Sequence, residues 1–118
     1  MQTTQYKKLP TVTVDVTITV AGRCFPEVID EFHNKMLGIV NDYKVAHKDS
    51  IVVVFNLEYI NSCCTKAIFT FLKALEEIYQ AGTKLTVNWY YEEDDDAMAQ
   101  LGLDLKDLVS YELNILTI

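Results

Sequence analysis

The chain has 118 residues, half of them hydrophobic and under a quarter charged, which suits one folded domain and argues against disorder. Its net charge of −7 and pI near 4.6 argue against nucleic acid or an anionic membrane surface as a partner, because an acidic surface gains nothing from a phosphate backbone. No apolar run approaches the roughly 20 residues of a membrane span. Met1-Gln2-Thr3-Thr4 also lacks the charged-then-apolar pattern of a signal peptide, so a cytoplasmic protein with no membrane partner is the expectation.

Residues 1–10 are polar and predict a loosely ordered N-terminus ahead of a single domain over 11–118. Val12, Val14, Val16, Ile18 and Val20 then alternate with Thr11, Thr13, Asp15, Thr17 and Thr19. A period of two in β-branched residues predicts a strand with one polar face, with a hairpin break near Asp15 as an alternative. Gly22-Arg23-Cys24-Phe25-Pro26-Glu27 follows, and Pro26 suits a first helical position. Val28, Ile29, Phe32, Met36, Ile39, Val40 and Tyr43 recur at helical spacing, predicting a helix over about 26–44. Gly38 inside it reads as a site of close packing.

Ile51 to Phe55 is continuously apolar and predicts a central strand covered on both faces. It leads to Asn61-Ser62-Cys63-Cys64-Thr65-Lys66, and a strongly amphipathic helix leads away to Gln80, with Gly82 as its stop. Small hydroxyl and thiol side chains thus sit at a strand-to-helix corner, where backbone N–H groups are free and the helix dipole is positive. Leu85 to Tyr91 predicts another strand, Ala97 to Leu101 a short helix ending at Gly102, residues 105–109 a further turn, and Glu112 to Ile118 the last strand. This order predicts an α/β domain: an open, mixed but mainly parallel sheet of about 4–5 strands with two main helices. Loops 22–26, 61–65 and 91–96 then share the edge formed by the C-terminal ends of parallel strands, where ligands and partners engage.

Each candidate on that edge has a bland and a sharp reading. Asn61 or Ser62 serves as the helix cap, and Ser62 or Thr65 also suits phosphorylation, Thr65 pointing outward from the first turn. Cys63 and Cys64 sit at a helix start, which favours a thiolate. Neither His33 nor His47 has a motif relation to them, however, so core packing outweighs catalysis. Cys24, Cys63 and Cys64 are an odd set with two adjacent members, which reads as reduced thiols rather than a disulfide framework. The acidic run Glu92-Glu93-Asp94-Asp95-Asp96 lacks the spacing of a calcium loop, so neither a metal nor another cofactor is expected, and Asp94 is a candidate cap for the short helix. Trp89, Tyr90 and Tyr91 directly before it make an aromatic–acidic mixture suited to a protein interface. Arg23 pairs either with the acidic run or with a phosphate.

Three stretches together resemble the SiaC family of bacterial regulatory phosphoproteins. They are Gly22-Arg23-Cys24-Phe25-Pro26-Glu27, similar to the family's GRSxPE segment, Phe55 through Lys66, and Val87-Asn88-Trp89-Tyr90-Tyr91-Glu92-Glu93-Asp94-Asp95-Asp96. The resemblance covers residues 10–118 and implies a non-enzymatic switch with a fold related to the STAS domains of anti-sigma factor antagonists. It implies a protein Ser/Thr kinase (SiaB-like), a PP2C-type phosphatase (SiaA-like) and an output protein such as a diguanylate cyclase (SiaD-like), in cyclic di-GMP signalling and biofilm formation. Carried onto this motif, the phospho-acceptor is Thr65, with Ser62 second. The implied partner-binding residues are Arg23, Asn61, Lys66, Trp89, Tyr90, Tyr91, Glu92, Glu93, Asp94 and Asp95. Cys24, Cys63 and Cys64 stand where the family has mainly small hydroxyl residues. The alternative is a constitutive interaction module without phosphorylation.

Overall fold

The structure, a computed structural model, describes residues 2–4, 11–14, 17–24 and 29–118. Its elements in chain order are β1 (Gln2–Thr4), β2 (Thr11–Val14), β3 (Thr17–Cys24), α1 (Ile29–Ala46), β4 (Ser50–Ile60), α2 (Ser62–Gln80), β5 (Lys84–Tyr91), α3 (Asp96–Lys106) and β6 (Glu112–Thr117). They build one six-stranded sheet in the order β1-β2-β3-β4-β5-β6. The first two pairings are antiparallel, and β3 to β6 are mutually parallel. The mixed, mainly parallel α/β fold is therefore as expected, with two differences. The long alternating run is split between β2 and β3, as the hairpin alternative had it, and residues 2–4 add a strand where a loose end was expected. The break itself and Pro26 lie outside the described residues.

Four parallel strands laid side by side in chain order constrain the helices. Right-handed crossovers that always step the same way put every connecting helix on the same face. Burial follows that rule. Ile18, Val20, Ile51, Val53, Phe55, Leu57, Leu85, Val87, Trp89 and Leu113 are buried under the helices. Their alternates Thr17, Thr19, Val52, Val54, Thr86, Asn88 and Asn114 are only half-buried. The expectation that Ile51–Phe55 is covered on both faces is thus corrected: Val52 and Val54 belong to the helix-free face. There Asn114 Nδ2 donates to Asn88 Oδ1 at 3.0 Å, satisfying polar groups across the β5–β6 register pair.

The core lies between the sheet and the helices. α1 contributes Phe32, Met36, Ile39, Val40 and Tyr43, and α2 contributes Cys64, Ala67, Ile68, Phe71, Leu72, Leu75 and Ile78. Phe55 sits at the centre, its ring centroid 6.2 Å from Phe71 and 5.3 Å from Trp89. α2 stops where the periodicity ends. Gly82 takes φ +112, a conformation that L side chains rarely adopt, and its N–H donates to Tyr79 O at 3.0 Å.

Two glycines behave differently from their sequence readings. Gly102 does not end a helix, because α3 runs through it to Lys106. Its lack of a side chain makes room for the Trp89 indole: a Cβ there would lie 2.5 Å from Trp89 Cδ1 and 2.9 Å from Ile115 Cδ1. Gly38 is not a close-packing site, since a Cβ on it meets nothing within 4 Å.

The two positions predict opposite outcomes in urea unfolding. Gly38→Ala is expected to raise stability by about 1 kcal/mol, the helix-propensity difference with no clash to offset it. Gly102→Ala is expected to lower stability by about 1–3 kcal/mol through overpacking against Trp89. A stabilised Gly102→Ala protein would contradict the packing described.

Candidate functional site

The C-terminal ends of β3, β4 and β5 lie on one edge, as their parallel registers require. At that edge β4 passes through Asn61 into α2. Asn61 has extended backbone angles, φ −105 and ψ 173, and its side chain caps the helix. Oδ1 accepts from the N–H of Cys63 at 3.1 Å and of Cys64 at 3.4 Å. Asn61, not Ser62, is therefore the cap, and Ser62 is the first helical residue, exposed. Thr65 does not simply project outward. Its Oγ1 donates to Asn61 O at 3.2 Å, and its N–H donates to the same carbonyl at 3.0 Å. The hydroxyl is half-buried and folded back onto the corner.

β5 and α3 form the opposite wall. Asp95, rather than Asp94, caps α3, accepting from Met98 N at 3.0 Å. The Trp89 indole N–H donates to Met98 O at 2.9 Å, which fastens α3 to the sheet. Trp89 is 1% exposed, so the expectation that it meets a partner directly is corrected. Its face is the one the helices cover, and its role is to position α3. Tyr91 is half-buried and packs against the core, and Tyr90 is half-buried on the other face of the strand. Glu92, Glu93, Asp94 and Asp96 are exposed. Among the described residues no group of three or more His, Cys, Asp or Glu side chains is placed to hold a metal ion.

Between these walls lies a groove of about 450 Å³ lined by Glu58, Tyr59, Ile60, Asn61, Ser62, Thr65, Asp95, Ala97, Met98 and Leu101. It joins Asn61, Ser62, Thr65 and Asp95 from the sequence-based set. It adds residues that sequence reasoning missed: Glu58, Tyr59 and Ile60 at the end of β4, and the Ala97, Met98 and Leu101 stripe of α3. The helical spacing of 97, 98 and 101 was a visible signal, but not which neighbour that stripe would face. Lys66 is not in the groove. It is exposed on the α1 side of α2, in a hollow of about 300 Å³ with Asp30, His33 and Cys63. Arg23 pairs with Glu58, Nε to Oε2 at 3.5 Å, and not with the acidic run. Both side chains are exposed.

The cysteines give a further correction. Cys24 at the end of β3 and Cys64 in the first turn of α2 are joined as a disulfide, with Cα atoms 6.1 Å apart, and the exposed Cys63 is the free thiol. An odd count says nothing about geometry. Cys24 lies at the buried end of β3, Cys64 lies on the buried stripe of α2, and the sheet brings the two together across a separation of 40.

Residues 3–118 match the family model described as SiaC family regulatory phosphoprotein. The chain belongs to the SiaC family. The uncharacterized protein PA14_02130 of Pseudomonas aeruginosa (strain UCBPP-PA14) is 22% identical over 98 residues, 83% of this chain and 78% of the relative. A crystal structure of the diguanylate cyclase SiaD in complex with its activator SiaC from Pseudomonas aeruginosa contains a chain of the same fold. It shares 20% identity and a TM-score of 0.89 over 100% of both chains. SiaC of Pseudomonas aeruginosa determined separately gives a TM-score of 0.84 at 19% identity, again over 100% of both chains. Its apo form gives 0.85 at 20%, over 98% of this chain and 99% of that one. At such identity the structures establish the SiaC fold for this chain. No helix of the described residues is long and apolar enough to cross a membrane.

The cap is testable by itself. Asn61→Ala is expected to cost about 1 kcal/mol of stability in denaturant unfolding, whereas Asn61→Asp keeps the acceptor and most of that stability. Equal losses in the two variants would show that the cap does not hold the corner.

Proposed function

We propose that this chain is a non-enzymatic switch in which phosphorylation of Thr65 controls docking of an output protein in the groove between α2 and α3. The observation that carries the reading is the position of Thr65: a half-buried hydroxyl on the groove wall, in the first turn of a helix, opposite Asp95. Family membership supplies the regulatory phosphoprotein context. SiaC of Pseudomonas aeruginosa is the activator of the diguanylate cyclase SiaD, so the output protein assigned here is a diguanylate cyclase. A protein Ser/Thr kinase adds the phosphate and a PP2C-type phosphatase removes it.

The mechanism is local electrostatics. Unmodified, the groove presents the apolar surfaces of Ile60, Ala97 and Leu101, and the Thr65 hydroxyl is already satisfied by Asn61 O. A partner covers it without stranding a donor. Phosphate brings about 1.5 to 2 negative charges to a groove that already carries Glu58 and Asp95, and it removes the donated hydrogen bond. Docking must then desolvate the phosphate among like charges. Arg23 at the Glu58 margin and the positive end of the α2 dipole moderate the cost to the folded chain itself. Asn61 and Asp95 act by shaping the two walls, and Tyr90, Tyr91, Glu92, Glu93 and Asp94 border the same edge. Lys66, on the far side of the helix, lies outside the docking groove.

Titration of purified wild type, Thr65→Ala and Thr65→Glu against the diguanylate cyclase of the same cells tests this reading. Thr65→Glu is expected to bind roughly 5- to 150-fold more weakly, a coupling of about 1–3 kcal/mol, with Thr65→Ala close to wild type. Equal binding by all three would favour a constitutive interaction module instead.

A further inference from the structure

We infer that the Cys24–Cys64 pair is a redox latch on the phosphorylation corner. Oxidised, it pins the first turn of α2 to the end of β3. Reduced, it lets that turn open and makes Thr65 a better acceptor. The consequence for Thr65 rests on the function proposed above, whereas the latch itself does not.

The position of the bond motivates the inference. Cys64 immediately precedes Thr65, and its N–H is one of the two that Asn61 caps. Cys24 is the last residue of β3, on a different strand from the one that feeds α2. Phosphoryl transfer needs the Thr65 oxygen within about 3–3.5 Å of the phosphorus and in line with the leaving group. In the folded corner that oxygen is half-buried and bonded back to Asn61 O. Loosening of the turn weakens that bond and raises the exposure of the hydroxyl to an enzyme. With the disulfide closed, residue 64 cannot leave the sheet without dragging the end of β3. With it open, only the Asn61 cap and packing hold the turn.

The redox step balances with a dithiol reductant of the thioredoxin class. A reductant thiolate attacks one sulfur, forming a mixed disulfide and releasing the other cysteine as thiolate. The second reductant thiol displaces the first cysteine, leaving an oxidised reductant. Two electrons pass to the pair, and the two protons of the reductant end on Cys24 and Cys64. Reoxidation is the reverse exchange with a disulfide oxidant. Both cysteines are 0% exposed, so attack waits on local opening of the same corner. Cys63 is exposed and takes no part in the bond, so thiols are counted in Cys63→Ser, where glutathione has no third cysteine to cap. Disulfides in reducing compartments are typically transient or redox-sensing, which suits a latch rather than a permanent staple.

Hydrogen exchange read by mass spectrometry on the full chain tests the latch. Protein equilibrated with oxidised glutathione is compared with protein in tris(2-carboxyethyl)phosphine and with Cys24→Ser and Cys63→Ser variants. Thiol titration of denatured Cys63→Ser should give no thiol in the oxidised form and two in the reduced form. The peptide spanning 61–68 should exchange about tenfold or more faster on reduction and in Cys24→Ser. β5 and β6 should be unchanged, and Cys63→Ser should match wild type. Reduced wild type carries the test if Cys24→Ser does not fold. Two thiols in oxidised Cys63→Ser, unchanged exchange over 61–68, or loss of protection throughout the sheet would each overturn the latch. Incubating both forms with ATP and an extract of the native cells separates the two ideas. Faster exchange with no phosphate on Thr65 in either form supports the latch and overturns the Thr65 reading. Equal phosphorylation of both forms, with equal exchange, does the reverse.

Discussion

Four parallel strands in unbroken chain order govern everything else in this molecule. With right-handed crossovers, that order stacks all three helices on one side and gathers the C-terminal ends of β3, β4 and β5 at one edge. A doubly wound sheet would open a crevice where its strand order reverses. This sheet has no reversal among its parallel strands, so its concave feature lies between helices, at the start of α2 and beside α3. The groove is a consequence of topology before it is a consequence of any particular side chain.

Its two walls are held by different means. On the α2 side, Asn61 caps the helix with its side chain and accepts the Thr65 hydroxyl with its carbonyl, so a single residue fixes both the turn and the acceptor. On the α3 side, Trp89 reaches from β5 to Met98 O and lies against Gly102, while Asp95 closes the helix end. Charge placed at Thr65 therefore faces a wall that is stiffly mounted, and repulsion is not relieved by a small shift of α3. This makes the corner suited to report a modification to a partner instead of absorbing it internally.

Much of this was legible in the residues. The amphipathic period of α2, its Asn start and its Gly82 stop placed the corner correctly, and parallel crossovers brought the C-terminal ends of three strands to one edge. What could not be read depended on contacts between distant segments. Alternation along Trp89-Tyr90-Tyr91 separates two faces but does not say which is covered, so a core tryptophan beside an acidic run looked like a surface one. Gly102 after a short apolar stretch looked like a stop, because the indole it accommodates comes from another element. Ile51–Phe55 looked covered on both faces because an apolar run carries no parity. The Cys24–Cys64 pair was hidden for the same reason: its partners meet only once β3 and α2 are packed. The resemblance to the family, by contrast, rested on contiguous stretches, and it identified the fold and the regulatory context together.

The central claim is that one hydroxyl, Thr65, carries the regulatory charge. Fragmentation of the peptide holding Asn61–Lys66, from protein isolated under several growth conditions of its own cells, tests that claim most directly. The account predicts a single phosphate localised to Thr65, with an occupancy that changes between conditions. A peptide unmodified in every condition, or a phosphate localised to Ser62, would contradict it.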